Sequence, residues 1–242
     1  MSEAIRADWY DIDEADRPDL LDWLHGTYLP ALQGTAGVAW VGHYAIRPKT
    51  GPATPTSPTR RVETDPSVPA GGEFVLLVAA SAPDPFLIAE TPIARLEAEG
   101  ADRLGRCRRT RRAVFVEECR IGGPQRRISL PGTGPAPAIQ LGNLDITRFE
   151  DDLELARFYR HVRFPQAARS RGCIGARKLL VTAGWGKHGV LYEFDGIDDG
   201  EELFEMRFEA ATPPDAPTRR HVLEYVTHSP TGPCAGPRIW PE

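Results

Sequence analysis

Two histidines and a tyrosine near the start of the chain have the side chains that proton transfer needs. His25 and Tyr28 stand three apart in "DWLHGTYLPALQ", whose apolar spacing is that of an amphipathic helix, so both emerge on neighbouring parts of one face. His43 follows in "GVAWVGHYAI", which reads as a strand, and alternation sends His43 and Tyr44 to opposite faces. An imidazole gives or takes a proton near neutrality, and a phenol orients or protonates an oxygen. His25, Tyr28 and His43 are therefore a candidate acid–base group.

A second set lies further on. "FYRHVRF" places Tyr159 and Arg163 four apart on a helix, where the planar guanidinium of Arg163 suits a carboxylate or phenolate ligand. Tyr192 and Glu193 are adjacent on a strand, so one faces each side of the sheet, and a buried carboxylate there would gain a raised pKa. Each residue also has a plain structural reading: a hydrogen-bonded histidine, a salt-bridged arginine, a paired glutamate. His161 falls on another side of its helix and reads as exposed.

The elements that would position these groups emerge from a test for internal repeats. Pro165 lies 135 residues after Pro30, and Gly172 the same distance after Gly37. In that phase Leu20 matches Leu155, Trp23 matches Phe158 and Leu29 matches Phe164. Downstream, "EFVLLVAAS" answers "GVLYEFDG" at an offset of 115. Each half then reads strand, helix, strand, strand, helix, strand. The first half ends on "TPIARLEAEG" and "RRAVFVEEC", the second on "DGEELFEMRFE" as helix and "RRHVLEYVT" as strand. A βαββαβ order occurring twice is a duplicated ferredoxin-like pattern, so the expected class is α+β. The expected boundaries are residues 1–130 for the first repeat, with a proline-rich insertion at 48–72, a linker at 131–142, and residues 143–242 for the second. The proline and the glycine of each copy register a shared turn from helix into strand.

The chain has 242 residues, with 41% hydrophobic and 26% charged side chains and a formal net charge of -5, as in an ordinary globular protein. An acidic balance argues against nucleic acid as partner, and no apolar run approaches the length of a membrane span. "RLGRCRRTRR", residues 103–112, holds six arginines but no interleaved aromatics, and reads as a solvated loop or an anion-steering patch. Cys107, Cys119, Cys173 and Cys234 show no metal-ligand spacing, the acidic start lacks a secretory pattern, and a cytoplasmic protein with reduced thiols and no metal is expected. No P-loop, dinucleotide fingerprint, nucleophile elbow or HExxH is present, and no spacing singles out a haem-ligating histidine. No cofactor is expected.

Both halves resemble the EthD-like and antibiotic-biosynthesis-monooxygenase-like dimeric α+β barrels, whose pattern is close to "FxxWYxxEHLPxLLxxPGxxxxxRY…YLxLYE". The matching residues are Trp23, Leu29, Pro30, Gly37 and Tyr44, then Phe158, Tyr159, Pro165, Gly172, Arg177, Leu191, Tyr192 and Glu193. The resemblance implies two ferredoxin-like units closing one barrel within the chain, possible further pairing as a homodimer, and a small-molecule ligand between a sheet and its helices. It also implies a substrate-binding set of Arg163, Tyr159, Trp23, Tyr192 and Glu193. Relatives often carry histidine two residues before the helix-ending proline, where this chain has Tyr28 and Arg163. The expected activity is cofactor-independent acid–base chemistry on a small aromatic or apolar acid, as a decarboxylase, dehydratase, isomerase or cyclase. A cofactor-free monooxygenase and a non-catalytic ligand-binding protein are the alternatives.

Overall fold

The computed structural model describes residues 4–48, 61–125, 133–196, 222 and 224–242. Its first half runs β1 (Ala4–Ile12), a long helix, β2 (Val38–Ala45), the two-residue β3 (Arg61–Val62), β4 (Phe74–Ala80), α3 (Asp84–Leu87), α4 (Pro92–Glu99), α5 (Ala101–Leu104) and β5 (Cys107–Gly122). The long helix comprises α1 (Arg17–Trp23), a π-helical turn (Leu24–Tyr28) and α2 (Leu29–Gln33). The second half repeats the plan with β6 (Ala138–Ile146), α6 (Asp151–Phe158), a π-helical turn (Tyr159–Arg163), α7 (Phe164–Ala167), β7 (Cys173–Gly184) and β8 (His188–Phe194). Short β9 (Val226–His228) and β10 (Cys234–Trp240) complete it.

The two π-helical turns sit at the same place in both copies, just before Pro30 and Pro165. In each, an amide bonds five residues back, Leu29 to the Leu24 carbonyl and Phe164 to that of Tyr159. Widened turns of this kind reorient the side chains they carry, and here they carry His25 and Tyr28 or Arg160 and Arg163. Gly37 at φ 92° and Gly172 at φ 78° then make the expected turns into β2 and β7, in a left-handed region closed to most residues.

Eight strands, in the order β10-β2-β4-β1-β5-β7-β8-β6, form an antiparallel sheet that β10–β6 pairing closes into a barrel. Each half contributes four strands, and β5–β7 and β10–β2 are the two seams. The barrel interior is filled by side chains of both halves, including Trp9, Tyr44, Leu77 and Phe115 with Ile139, Leu179, Leu191 and Cys234. Outside it lie two sheet–helix layers. The first packs Tyr10, Leu24, Tyr28, Leu32, Phe74 and Leu76 together, and the second packs Leu155, Phe158, Phe164, Val190, Tyr192 and Phe194. Strands β1, β4 and β8 are buried along their whole length because one face meets the interior and the other meets helices.

Four sequence expectations change. The second repeat begins at Ala138, inside the stretch read as linker 131–142, because "AIQLGNLDI" continues as one strand. Its closing strand is β10, not "RRHVLEYVT". Among the described residues of that stretch, Val222, Glu224 and Tyr225 are helical and the extended ones belong to Val226–His228. β10 hides behind Gly236 and Pro237. It pairs β6 over Cys234–Pro237 and then passes to β2, while a Cβ on Gly236 would stand 1.9 Å from the Ala45 carbonyl oxygen. Third, His43 lies opposite Leu76 and Lys178 opposite Val190, so the later strands correspond at an offset of 114 (190 less 76) rather than 115. Fourth, the arginine run is not a loop, since Arg108 to Arg112 lie within β5. The helix read at "DGEELFEMRFE" and residues 49–60 of the proline-rich insertion lie outside the described residues.

Candidate functional site

In the first sheet–helix layer β1, β4 and β2 run side by side, and alternation turns Tyr10, Phe74 and His43 toward the helices while Trp9 and Tyr44 point into the barrel. The His43 ring is fully buried and uses both nitrogens. Its Nε2 is 2.7 Å from the Tyr10 hydroxyl, and its Nδ1 is 2.8 Å from Nε2 of His25 on the π-helical turn. His25 is half-buried, so the three groups form one hydrogen-bonded line from the surface to the buried Tyr10 hydroxyl. Phe74 fixes the line by packing against both rings, at 5.8 Å from Tyr10 and 5.4 Å from His43 between centroids.

Burial sets the charge state of this line. It drives His43 down to about 3, with the neighbouring His25 acting in the same direction, and it raises Tyr10 well above an ordinary phenol. His25 is also lowered by burial, against the pull of Asp22 and Glu242. Every member is therefore neutral at pH 7. A neutral imidazole bonded at both nitrogens accepts a proton on one while releasing another from its second, and its two tautomers correspond to the two directions of transfer.

The sequence grouped Tyr28 with the two histidines, whereas the phenol bonded to His43 is that of Tyr10. Tyr28 shares the layer but stacks on Trp23, with centroids 5.3 Å apart, and burial pushes its hydroxyl up to about 12 against the opposing charge of Arg6. Trp23 packs against the end of α4 at Gly100 and lies under Arg103, which gives it a packing role. Beside the layer is an open polar cleft of about 590 Å³ lined by Asp11, Ile12, Asp13, Arg17, Glu73 and Arg109 among others. Arg17 reaches from it over the Phe74 ring, at 5.8 Å, while pairing with Glu73. Phe74 thus contacts both Arg17 and the line.

Arg163 and Tyr192 sit in the second layer. The Arg163 Nε donates to the Tyr192 hydroxyl at 2.9 Å and its guanidinium lies over that ring. Tyr159 packs edge-on to Phe158 and against Phe164. Glu193 points the other way, into the barrel, where it pairs with the fully buried Arg177 at 3.1 Å. The second layer also holds a network the sequence did not reveal. Lys178, the repeat counterpart of His43, donates to Glu118 and to Nδ1 of His188, and His188 Nε2 meets Asp152 at 2.7 Å. His188 is the counterpart of Phe74, which only the corrected offset brings out. His161 is exposed, as expected. Among the described residues no cluster of His, Cys, Asp and Glu could hold a metal ion, and all four cysteines are free.

No protein-family model matches the chain, and no curated protein matches it. Solved structures do. A chlorite dismutase-like protein superposes with a TM-score of 0.53 at 13% identity, covering 99% of this chain and 96% of its own. A monooxygenase-like protein from Fusobacterium nucleatum gives 0.54 at 8% identity, over 98% and 92%. An anthrone oxidase-like protein gives 0.51 at 10%, over 98% and 91%. With the closed sheet and its paired repeats, these matches decide the architecture. The chain has the fold of the dimeric α+β barrels. In this barrel one polypeptide supplies both halves, and its two sheet–helix layers differ. The first carries Tyr10, His43 and His25, the second Lys178, His188 and Asp152. Tyr28 and Arg163, counterparts in sequence, lie in different layers. No helix among the described residues is long and apolar enough to cross a membrane.

Proposed function

We propose that the protein is a cofactor-independent enzyme in which the Tyr10–His43–His25 line passes a proton between solvent and a small aromatic or apolar acid. The observation that carries this reading is the continuity of the line, from a half-buried imidazole through a fully buried one to a buried phenol. A decarboxylation shows the balance. The substrate carboxylate leaves as carbon dioxide, the carbanion formed takes the Tyr10 proton, His43 returns one to Tyr10, and His25 replaces that one from water. Dehydration or isomerisation would use the same line with the proton moved at a different carbon. Arg17 over the Phe74 ring is the cation placed to meet the acid group.

An oxygen-using reaction is the second reading, supported by the monooxygenase-like and anthrone oxidase-like structural neighbours. The same line would there remove a proton from an electron-rich substrate before it reacts with oxygen. A panel of small aromatic acids and hydroxylated aromatics, incubated in deuterated buffer with an oxygen electrode, tests both readings. The first predicts, without oxygen uptake, a product that has lost carbon dioxide or is isomeric and carries solvent deuterium, or one that has lost water. The second predicts oxygen uptake matching a product that has gained one oxygen atom and lost two hydrogen atoms, the other oxygen leaving as water. Tight binding across the panel without turnover would overturn both and leave a ligand-binding protein.

A further inference from the structure

The arginine run separates into residues facing opposite ways. Arg106 pairs with Asp16 and Asp19, Arg108 with Asp13, Arg109 with Asp11, and Arg112 with Asp8 and Glu97. Arg111 does not join this array. It lies opposite Trp9 in the β1–β5 ladder and alternates into the end of the barrel, its guanidinium 4.4 Å over the Trp9 ring and only 4% of the residue exposed. One nitrogen, Nη1, donates to the carbonyl oxygens of Pro230 at 3.0 Å and Pro69 at 3.4 Å, while Nε and Nη2 have no partner. No carboxylate of the described residues contacts it. Burial alone pulls its pKa down to about 10. The residue before Pro230 is Ser229, 1% exposed, and its hydroxyl also lacks a partner.

A buried cation without a counter-charge is among the costliest features a fold can contain, and stranded donors beside it add to the cost. Two neutral carbonyls satisfy one nitrogen but leave the charge in place. We propose that Arg111 and the Ser229 hydroxyl form a binding site for one small monovalent anion of halide size, held at the end of the barrel. The anion accepts from the free guanidinium donors and from Ser229 and supplies the missing charge. Its size follows from the cover. Pro69 and Pro230, whose carbonyls meet Arg111, lie in segments tied together where the Thr231 hydroxyl donates to the Gly71 carbonyl at 3.2 Å. With Arg111 4% and Ser229 1% exposed, the site offers no opening to a bulky anion.

Thermal unfolding in sodium chloride, bromide and gluconate at equal ionic strength tests the site, because screening is common to all three salts and gluconate is too large to enter. The wild-type Tm should be higher in the halides by about 5 °C once they reach a hundredfold excess over their dissociation constant. Arg111→Met should erase that difference, and Ser229→Ala should reduce it. Equal Tm values in chloride and gluconate for the wild type, or a halide effect that survives Arg111→Met, overturn the proposal. Should Arg111→Met not fold, crystals of the wild type grown in bromide decide the matter. An anomalous peak within hydrogen-bond distance of Arg111 supports the site, and no peak there refutes it.

Discussion

Tyr10→Phe lowers turnover by a factor of about 10² to 10⁴, the usual worth of a positioned acid or base, while Tyr28→Phe changes it less than about tenfold on the same scale. The contrast follows from the hydroxyl positions. The Tyr10 oxygen is 2.7 Å from His43 Nε2, whereas Tyr28 lies beside Trp23 and Arg6 and completes no path to solvent. A phenyl ring at position 10 keeps the packing on Phe74 and His43, so the protein folds. It loses about 1–3 kcal/mol through the unpaired His43 nitrogen. Steady-state rates of both variants on the substrate found for the wild type check this, and the reverse order of the two variants contradicts it.

The second large effect is on stability rather than rate. Glu193→Gln removes the charge facing Arg177 inside the barrel, where both side chains are sealed and the guanidinium lies over Trp40 at 5.7 Å. Breaking one partner of a buried pair costs about 3–5 kcal/mol, because the other charge stays behind in low dielectric. Glu117, at 3.9 Å from Arg177, compensates in part, so a loss near about 3 kcal/mol is expected in urea unfolding. Turnover per folded molecule should not change. An unchanged urea midpoint with lost activity would return Glu193 to the substrate site.

What the sequence conveyed depended on how local the signal was. The proline and the turn glycine recur at a fixed distance because each marks its own backbone, so the duplication, the α+β class and the two long helices were legible, although each helix continues through its proline, to Gln33 and Ala167, instead of ending there. β10 was not, because Gly236 and Pro237 carry the local marks of a loop and only pairing with strands remote in sequence makes them extended. A single-residue slip in matching β4 to β8 concealed the equivalence of Phe74 and His188, since it reverses which residues face the helices. His43 and His25 were found from residue type and element. Tyr10 was missed because "ADWYDI" gives no hint that its tyrosine opposes Phe74 and reaches a histidine two strands away. Arg163 and Tyr28 were linked by repeat symmetry, and that symmetry is what keeps them apart in space, one in each layer.

The central claim is that His43 is a neutral imidazole bonded at once to Tyr10 and His25. Long-range proton–nitrogen NMR of the histidine rings reads this without a substrate. His43 should remain neutral from pH 8 down to pH 5, since burial has moved its titration to about 3, far below the ordinary value near 6.5. In Tyr10→Phe its Nε2 resonance should move while the ring stays neutral. A His43 ring that titrates near 6.5, or whose nitrogens do not respond to loss of the Tyr10 hydroxyl, would contradict the account.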